Sequence, residues 1–323
     1  MKKFFFFFLL SVLISSSLHA QPGKDFEGII SYTSEVRSKS EIISDKALKG
    51  MTAFGNTKTV FVRHGNYKQV SGICSTWYIT KDQRVYYKFN ALDTLYYRDY
   101  TSDTTTVTYI AKPEEKRTIA GFECRPITIR SSDATWKYYY APALYMNPEY
   151  DKNNRIGRFD VFAKETSSLY LEVSEETPMY SSRETCTRVE PTEVADNVFE
   201  LPALPQKKFV LEELITPPEF TRKGGWVKYL ETNTDNLLAS KYINIPKGEK
   251  MASQTVYVKF LVNENGKVSN AFVENEKQVH PKLAEEALRV VNASPPWKPA
   301  IIYGSEKTIY WYMVPIMFRV ARK

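Results

Sequence analysis

Hydrophobic and polar positions alternate from the first residues after a very apolar start. Phe26, Gly28, Ile30, Tyr32 and Ser34 share one parity, and Glu27, Ser31, Thr33 and Glu35 hold the other. A period of two places successive side chains on opposite faces of a strand. The same rhythm predicts strands over 59–63 and 67–70, turned by His64-Gly65-Asn66, residue types that tolerate positive φ. It continues over 77–80, 85–89, 95–100, 105–110, 125–130, 135–140, 169–173 and 185–189. In this half only 38–48 reads as helix.

The pattern changes near the end. An alternating strand over 255–262 meets the turn Asn263-Glu264-Asn265-Gly266, and 267–273 reads as its return. The period then becomes helical: Leu283, Ala284, Ala287, Leu288 and Val291 form one stripe, Pro281 suits the first helical position, and Pro295-Pro296 ends the run. A shorter helix is predicted over 227–239, and an aromatic strand over 308–320 closes the chain. The class is α+β: a mostly antiparallel β domain over 21–205, a linker over 206–223, and a small hairpin–helix–strand domain over 224–323. Prolines mark the boundary, at Pro202, Pro205, Pro217 and Pro218. Between 205 and 223 the chain spans at most about 60 Å fully extended.

Composition sharpens this in two places. Aromatic residues reach 14%, with 22 Tyr and 18 Phe against 13 Gly, which favours strands. The net charge of +7 falls to +5 without Lys2 and Lys3, and the remaining cations are dispersed among acids. Clustered Lys and Arg on one face are what nucleic acid requires, so nucleic acid is excluded as a partner.

Lys2-Lys3 followed by the apolar run 4–14 has the form of a signal peptide, too short for a spanning helix of about 20 residues. Residues 1–20 are expected to be removed after Ala20, placing the protein in the periplasm or cell envelope. Leu18, large for its position before the cut, leaves open a second reading in which an uncut leader anchors the chain in the inner membrane. No cysteine lies near the cut, which argues against a lipoprotein anchor.

The order hairpin, helix, Pro295-Pro296-Trp297-Lys298-Pro299, terminal strand ending in Pro315-Ile316-Met317-Phe318 resembles the C-terminal domain of TonB and its relatives, over about a third of the chain. The long proline-rich spacer of energy-transducing TonB proteins has no counterpart here. The resemblance implies an envelope protein whose last strand accepts a segment of an outer-membrane or other envelope partner as an added strand, with Thr308, Tyr310, Tyr312 and Val314 along the docking edge. Pro315 removes one donor from that edge. The alternative is that these aromatics are core. Trp297, Pro299 and Gly266 read as structural.

The long meander, its Ile119-Ala120-Gly121-Phe122-Glu123-Cys124 hairpin and the closing Phe199-Glu200-Leu201-Pro202 resemble LolA-like half-barrels of exported proteins. That resemblance implies a concave apolar face able to hold lipid, with Tyr78, Tyr86, Phe89, Tyr96, Tyr138 and Tyr140 as candidate lining. A periplasmic lipid or lipoprotein carrier is therefore the alternative function, and a surface or peptidoglycan-associated structural protein is the third. A homodimer is a further way to cover the terminal strand.

Catalytic chemistry finds little support. Beyond the leader the histidines are His64 and His280, in different predicted domains, and no nucleophile elbow, metal-binding helix motif or phosphate loop is present. Glu114-Glu115 and Glu285-Glu286 read as solvated faces. The expectation is a non-catalytic binding protein with no cofactor and no metal. Of the three cysteines, Cys124 and Cys186 on predicted strands are the candidate disulfide, with three buried thiols as the alternative.

Overall fold

The computed structural model describes residues 23–52 and 55–322. The expected leader over 1–20 lies outside the described residues. Alternation becomes strand almost throughout the first half. The strands are β1 (Gly28–Ser38), β2 (Thr57–Arg63), β3 (Asn66–Ser71), β4 (Cys74–Ile79), β5 (Arg84–Phe89) and β6 (Leu95–Asp99), then β7 (Val107–Ala111), β8 (Arg117–Ile119), β9 (Phe122–Ser131), β10 (Thr135–Tyr145), β11 (Ser168–Glu176) and β12 (Tyr180–Pro191). Helix α1 (Asp45–Thr52) follows β1, and α2 (Phe159–Thr166) precedes β11. His64 at φ 48° and Gly65 at φ 72° make the two-residue turn between β2 and β3.

With β13 (Gln206–Lys208), these strands build one 13-stranded sheet ordered β13-β6-β5-β4-β3-β2-β1-β12-β11-β10-β9-β7, with β8 beside β9. The order does not close on itself. The sheet curls, because Lys58 on β2 reaches the Tyr170 hydroxyl on β11 at 3.3 Å across two intervening strands. Ile30, Val60, Val62, Ala141, Leu144 and Leu171 form its main core.

The first helix starts later than the pattern predicts. Serines of the preceding segment bind backbone in non-helical ways: Ser38 N donates to Asp45 Oδ1 at 2.6 Å, and Ser38 Oγ donates to Ser40 O at 3.3 Å. Ser44 Oγ then accepts from Ala47 N at 3.1 Å and starts the helix. The expected disulfide is a correction. Cys74, Cys124 and Cys186 are all free and buried. Cys124 on β9 and Cys186 on β12 are separated by β10 and β11 in the sheet order, and both sit as unbridged thiols in the core that the curled sheet encloses.

The segment read as a short linker, 206–223, carries two short strands. β13 runs parallel to β6, and β14 (Ile215–Thr216) pairs with β17 (Ala300–Ile302) of the C-terminal unit. The predicted helix over 227–239 is two short ones, α3 (Gly225–Asn233) and α4 (Leu237–Tyr242), divided where Asp235 Oδ1 accepts from Leu237 N at 3.0 Å. The rest follows the expected order: β15 (Met251–Val262), β16 (Val268–Val273), α5 (Pro281–Asn292), then β17, β18 (Glu306–Thr308) and β19 (Tyr310–Ala321). Val256, Val258 and Phe260 from β15 and Val314, Ile316 and Phe318 from β19 pack against Leu283, Ala287 and Val291 of α5.

β17 and β18 form a hairpin that leaves this sheet and docks on the N-terminal domain. Its Tyr303 ring stacks on Phe89 with centroids 4.1 Å apart, and the Tyr303 hydroxyl donates to Met51 O at 2.8 Å.

Candidate functional site

β19 is the edge of a three-stranded sheet ordered β16-β15-β19. It pairs with β15 over its whole length in unbroken register, Met251 opposite Ala321 and Val262 opposite Tyr310. No further strand pairs with its other side among the described residues.

Neighbouring bonds fix which backbone groups face outward. Tyr257 O accepts from Glu274 N at 2.9 Å and Tyr257 N donates to Asn275 Oδ1 at 2.9 Å, so both Tyr257 groups point toward the β16 side. In an antiparallel pair, a residue whose groups point away faces a partner whose groups also point away. Pro315 stands opposite Tyr257, so its backbone looks to the open side, as do those of Trp311, Met313, Met317 and Arg319. Even-numbered residues bond β15; Arg322 N, donating to Lys250 O at 3.0 Å, keeps the same parity. Pro315 thus sits where a proline leaves the ladder intact and shortens the open row by one donor.

The expected edge residues are redistributed by this parity. Thr308 is a correction: it is the last residue of β18, paired with Ala300 and buried, so it does not belong to the edge strand. Tyr310, Tyr312 and Val314 lie on β19, with backbone groups turned to β15 and side chains on the helix side of the sheet. Tyr312 packs against Phe260 at 5.9 Å and Trp297 at 5.5 Å, and Val314 is 4% exposed. The outward residues were missed. Trp311, Met313 and Met317 are 37%, 56% and 51% exposed and share the solvent face with Tyr257 and Phe272. Phe272 meets Trp311 edge-on at 6.2 Å, and Lys259 Nζ lies 5.7 Å over the Trp311 ring. The signal was present in Val314, Ile316 and Phe318, whose shared parity assigns the odd positions to the other face.

Trp297 lies buried among Phe220, Trp226, Phe260 and Tyr312. Gly266 turns the hairpin at φ +79°, and a Cβ there would lie 1.9 Å from Trp297 O. Trp297 N donates to Gly266 O at 2.8 Å, so the turn and the helix exit hold each other. Pro299 leads into β17.

The concave face of the large sheet carries two adjoining cavities, which share Gln69 and Tyr78. The first is mostly apolar and roofed by Phe159 and Phe162 of α2. Counted by the centres of water molecules it offers about 40 Å³, room for about three waters. Asp151, Asn154 and Ser168 are its buried polar groups. Asn154 Nδ2 and Tyr67 OH donate to the Asp151 carboxylate at 2.9 and 3.3 Å, yet burial outweighs them and raises the carboxyl to about 6.

The second cavity, about 360 Å³ on the same count, opens beside Phe209, Leu211 and Tyr303. Between the two stands Lys58, bonded to the Glu184 carboxylate and lying 4.9 Å over the Tyr32 ring. Of the expected lining, Tyr78 borders both cavities and Phe89 the second. Tyr96 packs on Phe89 at 6.1 Å, and Tyr138 and Tyr140 pack against Phe162. Tyr86 is a correction, because strand alternation turns it to the opposite face with Trp77 and Leu95.

Among the described residues no group of three or more His, Cys, Asp or Glu side chains is arranged to hold a metal ion. Burial pushes the thiols of Cys74, Cys124 and Cys186 up to about 11, so they are weak nucleophiles at neutral pH.

No curated protein matches the chain. Among solved structures, PNGF-II in its P21 crystal form is similar at 10% identity and a TM-score of 0.37, over 75% of this chain and 45% of that one. This chain therefore spans less than half the length of that structure. The Mycobacterium tuberculosis lipoprotein LppX is similar at 14% identity and a TM-score of 0.27, over 52% of this chain and 90% of that one. The family model for the Gram-negative bacterial TonB protein C-terminal region matches residues 250–320, from the last residue before β15 almost to the end of β19. The C-terminal unit of this chain is thus similar to the C-terminal domain of Gram-negative TonB proteins.

Proposed function

We propose that this chain is an exported, non-catalytic binding protein of the Gram-negative envelope, and that its C-terminal unit docks a partner segment by strand addition along β19. The observation carrying this reading is the outward row of backbone groups on an edge strand, bordered by exposed Trp311, Met313 and Met317. A visiting strand gains bonds from the row and apolar contact from those side chains. Outward N–H groups on Trp311, Met313, Met317 and Arg319, with the facing carbonyls, allow about five to eight bonds worth about 0.5–1.5 kcal/mol each. An ordering cost of several kcal/mol leaves a Kd near micromolar or weaker for the backbone alone, roughly. The apolar face is what tightens it.

A photo-reactive amino acid at Met313 tests the reading in cells, since Met313 faces outward where Tyr312 does not. Capture of a segment of another envelope protein is expected. Capture only of the chain's own N-terminal domain, or of nothing, contradicts it. Capture of a second copy identifies a homodimer in place of a partner. The carrier reading is less favoured, because the mostly apolar cavity is small and the larger one is lined by hydroxyls, an amide and three charged side chains as well as rings.

A further inference from the structure

We infer that the larger cavity on the concave face binds a small molecule carrying one anionic group on an apolar body, held by Arg98 at the junction of the two units. Lys58 and Glu184 are each 8% exposed and neutralise one another in the cavity wall. Arg98, the remaining charged residue of the wall, makes no ion pair among the described residues. One net positive charge is left, facing a lining otherwise made of hydroxyls, one amide, one thiol and apolar side chains.

Arg98 is placed by the sheet. It stands opposite Val85 on β5, one position along from the Tyr87–Tyr96 pair, so its side chain shares the concave face with Tyr87. Burial drives the Tyr87 phenol up to about 12 while the neighbouring guanidinium pulls it down. Tyr87 packs at 5.2 Å on Phe209, and Tyr303 covers Phe89 from the C-terminal hairpin. The ligand's apolar body therefore meets rings from both units, and its anionic group meets the guanidinium. Arginine's fixed fork of donors suits carboxylate, sulfonate or phosphate alike.

Isothermal titration of the full chain with 1-anilinonaphthalene-8-sulfonate tests this. One saturable site is expected, displaced by 4-phenylbutyrate and not by 4-phenylbutylamine, which has a similar body and the opposite charge. Arg98→Gln should raise Kd at least ten-fold, and Arg98→Lys should recover part of the loss. Should Arg98→Gln fail to fold, the rim residue Leu211, 38% exposed, supplies the second test: Leu211→Glu should weaken the probe several-fold and Leu211→Lys strengthen it. Equal displacement by the amine, or no response to either charge series, overturns the assignment. Displacement by inorganic phosphate as effective as by 4-phenylbutyrate overturns its apolar half and leaves a free-anion site.

Discussion

At the residue scale, Gly266 joins the terminal hairpin to the exit of α5. Gly266→Ala forces a Cβ into Trp297 O from a left-handed backbone, and the cost should exceed about 1 kcal/mol. A lowered midpoint in urea denaturation with an unchanged slope checks this. Asp151 gives a pH prediction. Its folded value of about 6 lies above the ordinary 3.8, so the native state holds the proton more tightly than the unfolded chain. Stability should therefore fall as pH rises from about 4 to about 6, and stay penalised above. Asp151→Asn keeps the acceptor for Asn154 and removes the buried charge. It should stabilise the protein at pH 7 by about 1–3 kcal/mol, with the gain fading toward pH 4. Denaturation of both proteins across that range decides it. Single residues were legible where chain conformation alone dictates them, as at His64-Gly65 and Gly266. Cys124 and Cys186 were not, because pairing depends on strand order, and alternation along one strand carries no information about its neighbours.

At the element scale, β19 shows how far patterning goes. Its apolar character and edge position were legible from the terminal aromatic run and from the order of hairpin, helix and strand. Which side chains and which amides face outward was not. That required a register, and the register is fixed by Tyr257 facing β16 and Pro315 facing Tyr257. The break at Ile309 was also hidden, since 308–320 reads as one continuous apolar strand. Two proline substitutions separate the roles of adjacent positions. Met313→Pro removes an outward donor, leaves the β15 ladder whole, and should abolish partner capture from a photo-reactive residue placed at Met317 instead, while the circular dichroism spectrum stays native. Val314→Pro removes a bond of the β15–β19 ladder itself and should unfold the C-terminal unit. Equal loss of fold in both variants would show that the parity is misassigned.

On the scale of the whole molecule, the two units are coupled rather than strung together. The division into a long β meander and a small α+β unit was legible from the change of period and from the prolines around 202–218. The coupling was not, because β13 and β14 have three and two residues and carry no period. Nor does the sequence announce that Tyr303 will stack on a ring more than two hundred positions away. Removing that ring should cost about 3 kcal/mol of interface energy. Tyr303→Ala is expected to split a single calorimetric transition into two and to expose 206–223 to proteolysis. One undivided transition would mean that β13, β14 and the remaining contacts suffice.

The open side of β19 is read most directly by amide hydrogen exchange of the full chain followed by NMR. Trp311, Met313, Met317 and Arg319 should exchange quickly while Tyr312, Val314, Ile316 and Phe318 are protected, an alternation that disappears when a partner strand binds. Uniform protection along the strand in the free protein would mean that the edge is already occupied, and strand addition would be contradicted.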